Sequence, residues 1–226
     1  MIDFSLEEDL APGLKKSLHQ SDYCRNLISV RYPAEQKSET REKILLAAAR
    51  TFRERGSDIN GIGKVMKELG LTKGGFYRHF ESKGDLYAEA VARAFQQMGD
   101  WMVGVAKAAP KGQELRAMIE AYLSEKHLHR PGTGCVLAAL GPEMSRQSLQ
   151  VRKRLAQTLL AFGDRLSPYL PGRTPDEKRE SFSVLLPGMA GVLLAARAMQ
   201  DPKLQKRMLD VARSFYTKAF ATETGA

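Results

Sequence analysis

Residues 70–80 read GLTKGGFYRHF, and Lys83 follows three residues later. Thr72, Lys73, Tyr77, Arg78, His79 and Lys83 each offer a hydrogen-bond donor, and residues 70–80 contain no carboxylate. Such a set suits recognition of an anionic surface. Lysine and arginine neutralise phosphates or reach guanine edges, while hydroxyls donate to phosphate oxygens. Gly74 and Gly75 stand among these donors, although a glycine inside a helix costs about 1 kcal/mol relative to alanine. Absence of a side chain lets a backbone come close to a neighbour. The pair is therefore expected where one short helix meets bases and phosphates, with its partly positive N-terminus toward the phosphates.

The flanking sequence supplies elements to hold that helix. Ile44, Leu45, Ala48 and Phe52 give one apolar face to a helix over 40–55 that stops at Gly56. Val65, Met66 and Leu69 belong to a second, expected to begin near Ile62 after an Asn60-Gly61 cap and to stop at Gly70. Thr72 is the N-cap candidate of the third, expected to run to about Phe80 with Phe76 and Phe80 facing inward. Two short helices joined by so tight a turn form a helix-turn-helix. Ser82, with Asp85 three residues on, then caps a long helix over 83–109.

Helical spacing continues to the C-terminus without sustained alternation, so the fold class is all-α. Further helices are expected over 113–129, 135–141, 145–169, 176–199 and 202–220. The segment SFSVLLPGMAGVLLAARAM is apolar nearly all round, which calls for burial on more than one side. A second copy of the chain is the natural cover. Gly188, Gly191 and Ala195 would admit a facing helix closely, with Met208 and Phe215 beside them.

The chain has 226 residues, 35 Lys+Arg against 26 Asp+Glu, a formal net charge of +9 and two cysteines. The charge favours a polyanionic partner. Cys24 and Cys135 are in neither CxxC nor Cys/His spacing, so neither a disulfide framework nor a zinc site is expected. No cofactor is implied. No apolar run is expected to reach the roughly 18 residues of a membrane span, and the start lacks a secretory pattern, so no membrane partner and a cytoplasmic location are expected. His19, His79, His127 and His129 lack partners at a catalytic spacing, so no enzyme is expected.

With these residues in view, LGLTKGGFYRHFESKGDL (69–86), preceded by TREKILLAAARTFRERG (40–56), resembles the DNA-binding domain of TetR/AcrR-type bacterial transcriptional regulators. The likeness is strongest to a subgroup reading GLTHGGFYRHF. It extends through GCVLAALGPEMSRQS (134–148) and MAGVLLAARAMQDPKL (189–204) into the regulatory half. The resemblance implies a homodimer that binds a double-stranded, pseudo-palindromic operator and is released by a small-molecule effector. It implies base contacts near Lys73, Gly74, Gly75 and Arg78, and phosphate contacts from Thr72, Tyr77, His79 and Lys83. Gly61, Met66 and Gly84 depart from the family pattern, replacing a common Ser or Thr, a small alanine and a Glu.

The resulting organisation is an N-terminal extension over 1–37, a helix-turn-helix domain over 38–86, and an effector-binding and dimerisation domain over 87–226. Arg31, Lys37 and Arg41 could serve as an arm along the duplex. Met98, Trp101, Met102, Met118, Tyr122, Phe162, Phe182 and Met189 are the candidate pocket lining, with His127, Glu143 and Arg165 as polar contacts. Cys135 is a further candidate, as a thiol sensor or an ordinary buried residue. The alternative is a helical interaction adaptor or a small-molecule-binding protein without DNA binding.

Overall fold

The computed structural model describes residues 34–57 and 59–221, all helix and connecting turn among the described residues. In chain order the helices are α1 (Ala34–Arg55), α2 (Ile59–Glu68), α3 (Lys73–Phe76), α4 (Lys83–Ala108), α5 (Glu114–Tyr122), α6 (Glu125–Leu128), α7 (Val136–Ser145), α8 (Leu149–Leu166), α9 (Pro175–Ala198) and α10 (Pro202–Phe220). Cys24 and Arg31 lie outside the described residues.

α4 is the spine. Its 26 residues span about 39 Å at 1.5 Å per residue. Leu86, Tyr87, Ala90 and Val91 are buried near its start, where α1 packs against it. Farther along it packs against α5 and α8. The boundary expected at 86/87 therefore falls inside one continuous helix. α9 and α10 pack on each other at the far side, with α7 between α9 and α1.

Several expected boundaries need correction. α1 begins at Ala34, inside the segment assigned to the extension, because Ala, Glu, Gln and Lys are strong helix formers. α2 begins at Ile59, so Asn60 lies within the helix rather than capping it. The helix expected over 113–129 breaks in two: the Ser124 hydroxyl donates to the Ala121 carbonyl at 2.7 Å and accepts from the His127 N–H at 3.2 Å, starting α6 afresh. α7 continues through Pro142, and Ser148, accepting from the Val151 N–H at 3.4 Å, caps α8. Thr174 and Glu177 close a capping box at the start of α9. One described helix, α9, does have the length and mean hydropathy (1.5) of a membrane span. Of that apolar stretch, 33% is buried, where α9 packs against α7 and α10, and its exposed apolar residues form the stripe described below.

His127 ties the body together instead of offering a polar contact to a pocket. Its Nδ1 donates to the Tyr122 carbonyl at 2.6 Å, and its Nε2 accepts from the Cys135 N–H at 2.9 Å. Trp101 and Tyr122 flank the ring at centroid distances of 5.0 and 4.8 Å. Only the neutral imidazole satisfies both bonds. Burial, with Arg197 nearby, holds its pKa down at about 4, although the Tyr122 carbonyl pulls the other way. Because the folded value lies below the ordinary 6.5, this group's contribution is complete above about pH 6.5 and falls away toward pH 4. The loss amounts to roughly 3 kcal/mol at about 1.4 kcal/mol per pKa unit. Denaturant titrations should show stability dropping across that interval, with His127→Gln flattening the slope. An equal slope in the variant would remove His127 as its source.

Candidate nucleic-acid interface

Local chemistry fixes the turn before α3. Gly70 takes a positive φ of +67°. Its N–H donates to the Lys67 carbonyl at 3.0 Å, and the Leu71 N–H donates to the Met66 carbonyl at 2.8 Å, the paired bonds that end a helix on a left-handed residue. Thr72 then accepts from the Gly75 N–H at 3.2 Å through its hydroxyl. α3 is shorter than expected. It closes at Phe76, and the chain winds on through tighter turns, with the Arg78 N–H on the Gly75 carbonyl (3.2 Å) and the His79 N–H on the Phe76 carbonyl (2.9 Å).

Phe76 and Phe80 are buried and stack at 5.6 Å, which anchors the turn. Arg41 finishes it. Its guanidinium lies 4.8 Å from the Phe80 ring centroid, donates to the His79 carbonyl at 3.3 Å and reaches both Glu89 carboxylate oxygens at 2.6 Å. Arg41 is therefore turned inward rather than extended as an arm, whereas Lys37 is exposed on α1. On α8, Arg154 donates to Asp85 at 2.7 Å and stands 3.8 Å from Glu89. Val151 would lie 3.1 Å from a Cβ on Gly84, so the glycine there admits α8. Across the head, the Glu143 carboxylate accepts from the Ser57 N–H (3.1 Å) and hydroxyl (2.5 Å). Glu143 thus holds the α1–α2 turn and is no pocket contact. Arg53 completes the junction, donating to the Ala49 carbonyl (2.9 Å), the Gly134 carbonyl (3.3 Å) and Gln97 (2.9 Å).

The outward surface carries Thr72, Gly74, Tyr77, Arg78 and Lys83, all exposed, Tyr77 at 68%. Gly75 and His79 are half-buried. Burial, then the charges of Lys37, Arg41 and Arg78, hold the His79 pKa below the ordinary imidazole value. The side chain of Lys73 lies outside the described residues, though its backbone opens α3.

Nothing among the described residues explains the glycine pair. Neither Gly74 nor Gly75 takes a positive φ. A Cβ on Gly74 would meet only the Thr72 hydroxyl at 3.9 Å, and one on Gly75 that hydroxyl at 3.5 Å and the Met66 Cε at 3.9 Å. Those are ordinary contacts, so alanine would fit at both positions.

In the body, Met102, Met118, Phe182 and Met189 come together around a narrow apolar slot closed by Leu115, Ile119, Leu166, Leu170, Leu185 and Leu186, with about 10 Å³ of free space. Met98, Trp101, Tyr122 and Phe162 do not line it. Phe162 packs on Phe95 and Phe182, and Trp101 and Tyr122 hold His127. Arg165 reaches Asp100 on α4 instead. Cys135 is fully buried, and burial pushes its thiol pKa up.

α9 and α10 also expose an apolar stripe: Val184, Pro187, Gly191, Leu194 and Ala195 on one, Leu204, Val211 and Phe215 on the other. Val184, Val211 and Phe215 are each more than 60% exposed. Gly188 is used within the chain, since a Cβ there would collide with the Tyr216 hydroxyl, and Met208 is half-buried against the core.

Comparison with known proteins shows what the head is similar to. Residues 44–90 match the family model "Bacterial regulatory proteins, tetR family". Within the same region the transcriptional repressor BepR of Brucella suis is 41% identical over 59 residues, 26% of this chain and 28% of that protein. The transcriptional regulator AcrR of Shigella flexneri is 38% identical over 55 residues, 24% of this chain and 26% of AcrR, so the match spans only about a quarter of either relative. A longer match, 28% identical over 172 residues, covers 71% of this chain and 86% of an uncharacterized HTH-type transcriptional regulator of Mycobacterium tuberculosis. Reduced NemR of E. coli superposes with a TM-score of 0.65 at 19% identity, covering 83% of this chain and all of that one, which establishes the shared fold. Together these findings give the head a likeness to tetR-type regulators over residues 44–90 and most of the chain the fold of NemR.

The tetR-matching segment contains every residue expected to contact bases or phosphates from Thr72 to Lys83, and leaves out the expected arm residues Arg31, Lys37 and Arg41. Sequence reasoning missed the four residues that hold it, Arg41, Asp85, Glu89 and Arg154, in their mutual role. Charge alone was their signal, and separations of 48 to 69 positions hide the pairing.

Proposed function

We propose that the chain is a ligand-released transcriptional repressor that binds a pseudo-palindromic operator as a homodimer. The observation that carries this reading is the glycine pair on an exposed, capped turn, where no positive φ and no neighbour among the described residues requires glycine. A close approach by something outside the chain accounts for it, and the surrounding Thr72, Tyr77, Arg78 and Lys83 suit a phosphate-bearing duplex. Lys73 and Arg78 read bases on this account, and Thr72, Tyr77, His79 and Lys83 contact phosphates. The exposed stripe on α9 and α10 supplies the dimer face, through Gly191, Ala195 and Phe215. Release acts through α7 and α8, which hold the head at Ser57, Asp85 and Glu89, so a shift of either helix changes how the two heads are spaced. The relative BepR is named a repressor, which agrees with the direction chosen. Placement in the GLTHGGFYRHF-like subgroup rests on residues 70–80.

Binding to a duplex from the chain's own upstream region tests the reading. Affinity should fall steeply with salt, and Lys83→Ala should reduce the log–log slope by about 2, one phosphate per head at roughly 0.9 each. Salt-independent association, or none at low ionic strength, would refute DNA binding.

A further inference from the structure

Where α8 ends and α9 begins, an open cavity of about 290 Å³ is lined by Leu160, Gly163 and Phe182 together with the charged Asp164, Arg173, Lys178 and Arg179. That volume is near the lower limit of small-molecule pockets, roughly 300 Å³. Its cations are unequal. Arg179 is engaged by Asp176 at 3.0 Å and Asp164 at 3.8 Å, whereas Lys178, half-buried, and Arg173 have no ion pair among the described residues. Glu177 on α9 accepts from the backbone N–H groups of Arg173 (2.5 Å) and Thr174 (3.3 Å) and forms no ion pair with either cation. The mouth therefore holds two uncommitted positive charges over an apolar floor.

Phe182 is the one residue shared by this mouth and the methionine slot. Its ring lies against Gly163, where a Cβ would come to 3.0 Å from it. Behind it stand Met102, Met118 and Met189, unbranched side chains that repack readily around an irregular guest. A rotation of one aromatic side chain would join the charged mouth to the closed apolar slot.

We propose that the two spaces form one site for an amphipathic anion, a carboxylate or comparable head on an aliphatic tail. Lys178 and Arg173 hold the head, and the tail passes Phe182 to lie among the methionines. The proposal rests on the ligand-release reading for its regulatory meaning, but not for its geometry. It names the effector's chemical class.

Calorimetric titration of the full chain with decanoate, acetate and decyltrimethylammonium tests it, with duplex affinity measured alongside. Decanoate should bind one per chain. Acetate, lacking a tail, and the cationic surfactant, of opposite sign, should bind at least tenfold more weakly. The surface pair Arg173→Glu and Lys178→Glu should weaken decanoate at least tenfold while leaving the melting temperature within a few degrees. Equal binding of the cationic surfactant, no binding of decanoate, or unchanged affinity in the double variant would each overturn the site. Decanoate bound at this site with unaltered duplex affinity would uphold the site and remove the release reading; duplex binding without decanoate binding would remove the site and leave DNA binding standing.

Discussion

Changing Gly74 and Gly75 together to alanine is expected to make the protein more stable and a worse DNA binder. Both positions have helical room for a Cβ, with nothing among the described residues nearer than 3.5 Å, so each substitution should contribute up to about 1 kcal/mol of stability. Duplex affinity should nevertheless fall on the order of a hundredfold. A methyl at the point of closest approach lifts α3 from the groove, and lost base contacts cost about 1–3 kcal/mol each, in both heads at once. Thermal unfolding and duplex titration on the same preparation separate the two effects. Wild-type affinity in the stabilised variant would show that these glycines answer to nothing outside the chain.

The second large effect belongs to the far end of the molecule. Val211→Glu with Phe215→Glu places two charges in the exposed stripe of α9 and α10 without touching the chain's own core, since both residues are more than 60% exposed. The variant should fold, run as a monomer in light scattering, and lose duplex affinity by about 100-fold or more, because linking two heads multiplies affinity by roughly 10²–10⁴. A dimer that persists would place the two-fold contact elsewhere.

Much of this was legible before any coordinates. Helix stops at Gly56 and Gly70, the Thr72 and Ser82 caps and the buried Phe76 and Phe80 follow from local rules, because each is settled within five residues of itself. What sequence could not give was partnership across distance. His127 and Glu143 looked like ligand contacts because both are polar residues in an apolar half. Whether such a residue meets a ligand, a carbonyl or a serine depends on which loop returns to it, and those partners are the Tyr122 carbonyl, the Cys135 N–H and Ser57. Gly188 misled in the same way. A small residue marks a close approach without saying whose, and here the visitor is Tyr216 of the same chain.

The unbroken run of α4 from Lys83 to Ala108 bears on any attempt to graft this head onto another regulator. Leu86, Tyr87, Ala90 and Val91 are buried where α1 packs, with Phe52 and Tyr87 at 6.0 Å between ring centroids. A chimera cut at residue 86 would strip the transplanted part of most of its hydrophobic floor. The serviceable splice point lies past Val91, and even there the recipient must provide substitutes for Arg154 and Glu143.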